Sequence, residues 1–384
     1  MPTEEILSIE KLVYGGEGLA RPDGRVVLIP YVAAGEMVRA EIQPVKKDLF
    51  RGRLLEVLSP AASRLPAACP YFQRCGGCQF QHLDYAHQVQ QKIAALREVL
   101  RRIGKIDFTD DIAAITGEPW QYRNRVQLHI ERGAVGYFEH GSRRLCAIES
   151  CPIASPALNR AIAMLNAHAA QLGSYQGAVE LFTNETEVQV NVLERASRAV
   201  YSIFESIGSP APIEYQGFHV SRNSFFQVNR FLLDGLVECA IADHQGDSAL
   251  DLYAGVGLFA KALAGRFRQV TAIESGHSAF RDLAQNLGDR VSSRNTTVEE
   301  YLAGFEGRPD LILADPPRAG LTKHVVADLT RIQAASVVIV ACDPATLARD
   351  LQGLIAGGYR IHKIMLVDLF PQTFHLETVV ELRR

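Results

Sequence analysis

Residues 248–274 read SALDLYAGVGLFAKALAGRFRQVTAIE, and the architecture of the C-terminal part of the chain follows from them. SALDLYA and QVTAIE are apolar enough for buried strands, and LFAKALAGR between them has the composition of a helix. A strand, a glycine-containing turn, a helix and a second strand make one unit of a parallel sheet. The stretch therefore predicts a doubly wound α/β domain.

The same alternation continues to the end of the chain. The helices HSAFRDLAQNL, HVVADLTRI and TLARDLQGLIAGG alternate with the strands PDLILADP and SVVIVAC, before two last strands, RIHKIMLVDL and HLETVVEL. Near-continuous apolar strands between helices are typical of a parallel sheet covered on both faces. We expect this domain to span residues 236–384.

The N-terminal part has a different pattern. Residues 1–60 contain short strand-like segments separated by glycine turns, which predicts a small β-barrel or sandwich. A helix is expected over residues 85–104, because Val89, Ile93, Leu96 and Leu100 recur at helical spacing and Gly104 ends the pattern. Residues 61–235 read as a mixed α/β domain, and this helix is able to pack on the C-terminal domain.

Composition limits the class of protein. Apolar residues make up 47% of the 384 residues and charged residues 22%, as in ordinary globular proteins. There is no apolar run long enough to cross a bilayer, and the first residues are acidic, unlike a secretory signal. We expect a soluble cytoplasmic protein with no membrane segment, and no obligate protein partner is evident.

The net charge of −3 hides an uneven distribution. Residues 46–144 contain 16 Lys and Arg against 10 Asp and Glu, a balance of +6, so the remainder carries −9. A basic region of this kind is a candidate for contact with nucleic-acid phosphates, although two solvated surfaces of opposite sign are an equally good interpretation.

The turn after the first strand of the sheet predicts a nucleotide-like ligand. Gly255 and Gly257 allow a tight turn at the carboxyl end of that strand, and Glu274, at the end of the next strand, is placed to accept hydrogen bonds from a ribose. A dinucleotide enzyme would fit almost as well, but the third glycine of its fingerprint is absent. An acidic residue, Asp251, ahead of GVG favours S-adenosylmethionine.

Three further side chains stand at the ends of strands of the same sheet. Asp315 lies in ADPPR, Cys342 begins CDP, and Glu377 stands at the start of the last strand. A thiolate that adds to carbon 6 of a pyrimidine makes carbon 5 nucleophilic enough to take a methyl group, and a base must then remove the carbon 5 proton. Cys342 and Glu377 are the candidates for these two roles, although a buried structural cysteine and a rigid turn are the simpler alternatives.

The remaining cysteines have the spacing of a metal centre. Cys69, Cys75 and Cys78 lie within ten residues, and Cys151 or Cys146 is a candidate for a fourth ligand. An odd number of cysteines without a secretory signal argues against a disulfide framework. Four thiolates suit either zinc or an iron–sulfur cluster, and the close triplet with Gly-Gly favours the cluster modestly.

Taken together, these motifs resemble the RNA uracil-5-methyltransferases that make 5-methyluridine in rRNA or tRNA. The matching stretches appear in family order and cover nearly the whole chain: GGEGLARPDGRVVLIPYVAAGE, CPYFQRCGGCQFQH, YRNRVQ, SFFQVN, DLYAGVGLFA, ADPPRAGL, CDPATLARDL and FPQTFHLETVVEL. The resemblance implies an N-terminal TRAM-type, OB-like RNA-binding β-barrel (1–60), a central domain with a [4Fe-4S] cluster (61–235), and a Rossmann-like S-adenosylmethionine domain (236–384).

The resemblance also implies roles for individual residues. Cys342 matches the nucleophile and Glu377 the base. The positions that match the cofactor and uracil sites are Gln227, Tyr253, Gly255, Gly257, Glu274 and Asp315, and those that match the cluster ligands are Cys69, Cys75, Cys78 and Cys151. Two departures stand out: Asp343 replaces a frequent Asn, and Leu258 replaces a residue that is a donor-contacting Asn in some relatives.

RNA is the expected substrate, rRNA rather than tRNA. Lys46, Lys47, Arg51 and Arg53 are candidates for phosphate contacts, with Arg123 and Arg125 in addition, and Phe225 or Phe226 for stacking on an extruded uracil. The alternatives are a tRNA T-loop methyltransferase, an inactive cluster-bearing RNA-binding protein, and a redox enzyme. The last lacks any flavin or quinone signature.

Overall fold

The structure is a computed structural model that describes residues 3–384. The chain forms two compact units. The first contains the residues up to Val99 together with Tyr137–Cys146 and Phe370–His375, and the second contains Leu100–Gly136, Ala147–Leu369 and Leu376–Arg384. These units do not follow the predicted divisions after residues 60 and 235, because the chain returns to the first unit twice. The three-domain division therefore stays a prediction.

A six-stranded sheet opens the first unit. Its strands are β1 (Thr3–Ser8), β2 (Lys11–Leu12), β3 (Glu17–Ala20), β4 (Val26–Pro30), β5 (Met37–Lys46) and β6 (Leu49–Ser59), with a 3-10 turn at Pro22–Gly24. They lie in the order β1-β5-β6-β4-β3-β2, antiparallel except for the β4–β6 pair. Alternate side chains such as Leu7, Val27 and Val38 form its core, as the short apolar segments predict.

One long helix, α1 (Tyr85–Val99), completes the first unit and continues into a π-helical turn, Leu100–Gly104, that belongs to the second. Its buried face includes polar side chains. Gln88 donates to the side-chain oxygen of Gln372 over 3.0 Å, and Lys92 Nζ donates to the Phe370 carbonyl over 2.9 Å. These bonds explain why residues 370–375 belong to the first unit. In residues 3–384 we find no helix with the length and apolar character of a membrane span.

After β7 (Ala113–Ile115), the chain forms a five-stranded sheet and a hairpin, which belong to the second unit except for Tyr137–Phe138 of β9 and Leu145–Cys146 of β10. The sheet contains β8 (Arg125–Glu131), β9 (Ala134–Phe138), β10 (Leu145–Ala147), β11 (Gln176–Thr183) and β12 (Val188–Val192), and the helices are α2 (Pro156–Ala167) and α3 (Arg198–Ile207). Its order is β10-β9-β8-β11-β12, so β12 is an edge strand. The hairpin consists of β13 (Ile213–Tyr215) and β14 (Phe218–Val220).

The C-terminal sheet has helices between its strands. The elements are α4 (Leu233–Ile241), β15 (Gly246–Leu252), α5 (Leu258–Leu263), β16 (Phe267–Ile273), α6 (His277–Leu287), a 3-10 turn (Gly288–Arg290), β17 (Ser292–Arg294), α7 (Val298–Ala303), β18 (Leu311–Ala314), α8 (Lys323–Ile332), β19 (Ser336–Ala341), α9 (Pro344–Ala356), β20 (Arg360–Val367) and β21 (Thr378–Arg383). The strand order is β17-β16-β15-β18-β19-β21-β20-β7. The order reverses beside β15, as in doubly wound sheets, and this confirms the predicted Rossmann-like α/β class.

The sheet departs from the prediction in two strands. β21 is antiparallel to both of its neighbours, because the connection from β20 covers only residues 368–377, too short for the crossover that a parallel pair needs. β7 joins the far edge from outside residues 236–384 and runs parallel to β20.

Candidate active site

The candidate residues of the C-terminal sheet meet at one edge. The turn 253–257 follows β15, Glu274 follows β16, Asp315 follows β18, and Cys342 follows β19. Because β21 is antiparallel, its first residues lie at the same edge, and Thr378 pairs with Ala341 in register. Glu377 and Cys342 are therefore neighbours across two adjacent strands.

The glycine turn has the geometry that its sequence predicts. Gly255 and Gly257 have φ of +57° and +98°, and Tyr253 also has a positive φ, +62°. A Cβ on Gly257 would stand 2.9 Å from the side chains of Leu283 and Leu287, whereas a Cβ on Gly255 would have no neighbour within 4 Å. Gly257 is thus required for packing, and Gly255 faces open space where a ligand can approach.

Glu274 holds this turn in place. Its Oε2 accepts a 2.8 Å hydrogen bond from the Gly255 amide, and its Oε1 accepts a 2.6 Å hydrogen bond from the Gly276 amide. Each carboxylate oxygen has further acceptor capacity, so these bonds orient the group without preventing contact with a ligand hydroxyl. Beneath the turn, burial raises the pKa of Asp251 well above its usual value, and the carboxylates of Asp315 and Glu274 add to that rise.

Burial favours the protonated forms of both Cys342 and Glu377. Burial raises the pKa of the Cys342 thiol to about 11, and Glu377 and Asp315 add to it, whereas Arg318 lowers it. Burial also raises the pKa of Glu377 well above its usual range, with Asp315 adding to the rise and Arg318 opposing it. Burial raises the pKa of Asp315 to about 7.

Arg318 is a functional candidate that the sequence analysis did not single out. Its guanidinium lowers the pKa of both Cys342 and Glu377, so it favours their ionised forms against the effect of burial. Its position in ADPPR, three residues after Asp315, was the available signal.

Helix α9 holds the loop that carries Arg318. Thr346 Oγ1 donates to the Arg318 carbonyl over 3.2 Å, Arg349 Nη2 donates to the carbonyls of Ala319 and Leu321 over 2.9 and 3.0 Å, and the buried Asp350 accepts from the Leu321 amide over 2.7 Å. Asp343, the N-cap of the same helix, accepts from the amides of Ala345 and Thr346 over 2.9 and 3.0 Å. An Asn at position 343 would offer the same acceptor.

The SFFQVN segment separates its two phenylalanines. Phe226 is buried among Phe182, Tyr215 and Phe218, whereas Phe225 is 64% exposed. Of the two predicted stacking residues, Phe225 is therefore the accessible one. Gln227 is buried, and its carbonyl accepts a 3.1 Å hydrogen bond from the Asn124 side chain.

Arg125 and Leu258 are explained by packing. The prediction that Arg125 contacts RNA phosphates is wrong, because its side chain is buried, lies over the Phe182 ring at 4.4 Å and donates to the Ser224 carbonyl over 3.0 Å. Leu258 packs partly buried against the apolar cluster that contains Val256, so a polar side-chain contact at that position is replaced by an apolar one.

The candidate cluster ligands fall in both units. Cys69, Cys75 and Cys78 lie in the first unit, as does the fully buried Cys146, and Cys151 lies in the second. The Gly77 amide donates to Cys75 Sγ over 3.4 Å, and Asn159 holds the backbone at Cys151. Over residues 3–384, no three His, Cys, Asp or Glu side chains form a ready metal-binding group.

His375 stands two residues before Glu377 in the sequence FHLE. It belongs to the first unit, where its ring lies 4.3 Å from that of Phe374, whereas Glu377 belongs to the second unit.

Comparison with known proteins agrees with this arrangement. The family model described as tRNA (Uracil-5-)-methyltransferase matches residues 177–384, more than half of the chain. The chain belongs to this family. An "Uncharacterized RNA methyltransferase" of Aquifex aeolicus is 29% identical over 97% of both chains. The "23S rRNA (uracil(1939)-C(5))-methyltransferase RlmD" of Chromohalobacter salexigens is 31% identical over 100% of this chain and 90% of its own.

A solved structure extends the family's fold to nearly the whole chain. The tRNA (uracil-54, C5)-methyltransferase of Pyrococcus abyssi, solved in complex with S-adenosyl-L-homocysteine, covers 98% of this chain and 100% of its own, with a TM-score of 0.78. Its sequence identity is 24%, so the likeness is one of fold.

Proposed function

We propose that the protein methylates carbon 5 of a uridine in RNA, with S-adenosylmethionine as methyl donor. The observation that carries the proposal is the neighbouring position of Cys342 and Glu377 at the sheet edge where Asp315 and the glycine turn also lie. The family match and the names of the relatives support the same reaction.

In the proposed cycle, the Cys342 thiolate forms a bond to carbon 6 of the uracil, and the electron pair of the carbon 5–carbon 6 bond moves toward carbon 5 and oxygen 4. When bound, the donor supplies a methyl group to carbon 5 from its sulfonium. Glu377 then accepts the carbon 5 proton, and the electrons of that bond re-form the double bond and expel the Cys342 thiolate. Asp315, which follows β18 at the same sheet edge, would hold the uracil edge.

The protonation states constrain how this cycle begins. In the free protein, burial raises the pKa of the Cys342 thiol to about 11 and raises the pKa of Glu377 well above its usual range, so it favours the protonated form of both groups. The chemistry needs a thiolate and a carboxylate, so both protons must leave before carbon 5 is deprotonated. Arg318 favours both ionised forms, because it lowers both pKa values.

Two variants distinguish the proposed roles. Cys342→Ala should abolish methylation and any covalent protein–RNA species, because there is no thiolate to add to carbon 6. In Glu377→Gln, Cys342 should still add to carbon 6 and carbon 5 should still take the methyl group. The reaction should then stop at the covalent adduct, because no base removes the carbon 5 proton. A denaturation-resistant adduct that carries labelled methyl should accumulate with Glu377→Gln only, as seen by gel mobility.

A matched control is Cys239→Ala. Burial raises the pKa of Cys239 to about 11 as well, but it lies on α4, where its Sγ is 3.4 Å from the Met365 sulfur. It should keep full activity. Substantial activity in Cys342→Ala would refute the nucleophile, and normal turnover in Glu377→Gln would transfer the base role to another group such as His375 or water.

The donor would be held by the β15 and β16 ends. Gly255 has open space beside its Cα, Glu274 is oriented by two amides, and Tyr253 keeps its phenol protonated because burial raises its pKa. This combination fits a ligand with a ribose and an amino-acid end. Gln227, Gly257 and Asp315 complete the proposed set.

We also propose that Cys69, Cys75, Cys78 and Cys151 hold a [4Fe-4S] cluster. The donor chemistry fits, because soft thiolates are the ligands of such clusters. A second observation concerns Tyr31, which is 6% exposed and whose hydroxyl has no hydrogen-bond partner in the described part of the chain. Burial, and the nearby Cys75 and Cys78, raise its pKa to about 12, so the hydroxyl keeps its proton and can donate a hydrogen bond.

Metal analysis tests the cluster. Protein purified without oxygen should be brown, with absorbance near roughly 400 nm and about four irons per chain. Cys151→Ala should lose the iron, and the control Cys146→Ala should keep it. A colourless protein with one zinc would show that the thiolates serve zinc instead.

The proposed RNA is rRNA, recognised in part by the six-stranded N-terminal sheet acting as a TRAM-type domain. Support comes from the relative named for 23S rRNA and from the basic balance of residues 46–144. Mass mapping of 5-methyluridine in rRNA and tRNA from cells with and without the gene would identify the substrate. A methylated uridine that disappears from tRNA alone would favour the T-loop alternative.

A further inference from the structure

A groove of about 500 Å³ lies beside the edge strand β12, in the second unit. It is lined by β12 and Leu193, by Tyr201, Phe204 and Glu205 of α3, and by Arg222 and Asn223, which follow β14. The reaction described above uses none of these residues.

The groove contains a stacking surface. Tyr201 is 40% exposed and Leu193 is 46% exposed, although both side chains are large and apolar enough to be buried in an ordinary fold. An exposed aromatic ring beside an apolar wall is suited to a flat ring such as a nucleobase, and such stacking does not depend on the identity of the base.

The groove also contains a pair of amides with fixed orientation. Asn191 Nδ2 donates to the Arg222 carbonyl over 3.2 Å and to Asn223 Oδ1 over 3.4 Å. These bonds use the Asn191 amide nitrogen and the Asn223 side-chain oxygen, so Asn191 Oδ1 can accept a further hydrogen bond and the Asn223 amide nitrogen can donate one. A base edge that offers a donor next to an acceptor is the matching partner.

Charge and chain continuity indicate which ligand carries that base. Arg222 supplies a cation suited to a phosphate, whereas Glu205 would repel one, so the phosphate belongs beside Arg222. Only Ser224 separates Asn223 from Phe225, the exposed aromatic residue proposed to stack on the target uracil. The groove and the proposed uracil site are thus joined by one short segment, 222–227.

We propose that this groove binds an unpaired nucleotide of the substrate RNA that neighbours the target uridine, with its base on Tyr201 and its phosphate beside Arg222. The proposal rests on the proposed RNA methyltransferase function. It makes the groove a specificity determinant, because the enzyme then requires a second extruded nucleotide at a fixed distance from the uridine.

The test uses the full-length protein and the RNA fragment in which the wild type forms 5-methyluridine. Tyr201→Ala should weaken RNA binding about five- to a hundred-fold, the range for loss of one base–aromatic stack. Tyr201→Phe keeps the ring and should bind as the wild type does. Arg222→Gln should lower the slope of log affinity against log salt by about one.

Controls separate this contact from general damage. Met164→Ala removes an equally exposed side chain, at 40%, from α2 and should leave RNA affinity unchanged. Affinity for S-adenosylmethionine should be the same in all variants. The nucleotides beside the target uridine can also be replaced by abasic residues, one at a time. In the wild type, one of these replacements should weaken RNA binding as much as Tyr201→Ala does. The same replacement should cause no further loss of affinity in Tyr201→Ala.

Two results would overturn the inference in different ways. Unchanged RNA affinity in Tyr201→Ala, while the wild type methylates the fragment, would reject the groove and leave the methyltransferase function standing. A wild type that methylates no RNA would reject the function, and the groove proposal with it.

Discussion

At the scale of single residues, burial and neighbouring acids raise the pKa values of the candidate site, and Arg318 opposes that rise. Cys342, Glu377 and Asp315 all have raised pKa values, and each group in its charged form would repel the others. Arg318 favours the ionised forms of the first two. Its effect on the thiol can be measured without any substrate.

The pH dependence of Cys342 alkylation should report this balance. A thiol reacts as its thiolate, so in the wild type the rate should rise with a midpoint near the pKa of about 11. Arg318→Gln should move the midpoint up by about one pH unit, because it removes the positive charge that lowers the thiol pKa. Glu377→Gln should move the midpoint down, because it removes the carboxylate that raises the thiol pKa. Iodoacetamide labelling with mass spectrometry of the Cys342 peptide gives the rates. Identical midpoints in all three proteins would contradict the electrostatic assignment.

Residue identity was more predictable than residue environment. The positions of Cys342 and Asp315 after strands, and of Glu377 at the start of one, could be predicted, because strand ends and chemistry-bearing side chains are local features of the sequence. The burial of Arg125 was not, because it depends on Phe182 and Ser224, which lie far along the chain. The division between exposed Phe225 and buried Phe226 likewise depends on the hairpin that packs on Phe226.

At the scale of elements, α9 links the nucleophile to the cation. Its N-cap, Asp343, directly follows Cys342, and its next turn holds the backbone of residues 318–321 through Thr346, Arg349 and Asp350. The helix was predicted from the alternation of helix-like and strand-like segments, but its bonds to the preceding loop were not, because hydrogen bonds between distant residues leave no signal in that pattern. The antiparallel β21 was missed for a related reason: the prediction considered strand composition and not connection length.

The N-cap of α9 should contribute measurably to the free energy of unfolding. Asp343→Ala removes the acceptor for the Ala345 and Thr346 amides and should lower the free energy of unfolding by about 1 kcal/mol. Asp343→Asn keeps an acceptor, so its free energy of unfolding should fall by only about a few tenths of a kcal/mol, because the negative charge at the helix N-terminus is lost. Urea unfolding of both variants gives the values. Activity should fall more in Asp343→Ala, and equal stability of the two variants would show that the cap is not what fixes the helix start.

At the scale of the whole molecule, the charge distribution matters more than its sum. A protein of net charge −3 would be repelled by RNA at long range if its charges were evenly spread, but residues 46–144 carry +6. The structure refines this argument. Arg51 and Arg53 lie 3.6 and 3.1 Å from the carboxylates of Glu17 and Glu41, so their charges are partly offset, whereas Lys46 and Lys47 are exposed at the turn between β5 and β6.

We therefore expect these four cations to contribute unequally to the salt dependence of RNA binding. Replacing Lys46, Lys47, Arg51 and Arg53 by Gln should weaken RNA binding and flatten the slope of log affinity against log salt, and Lys46→Gln with Lys47→Gln should account for more than half of that change. Affinity for S-adenosylmethionine should not change.

The control is Arg268→Gln. Arg268 lies at the start of β16, at the sheet edge opposite the candidate site, where it is 73% exposed and pairs with Asp247. Fluorescence titration at four salt concentrations gives the slopes. A slope unchanged by all four substitutions would remove the N-terminal sheet from the RNA-binding surface, and an equal loss from the arginine pair would mean that RNA displaces Glu17 and Glu41 from their partners.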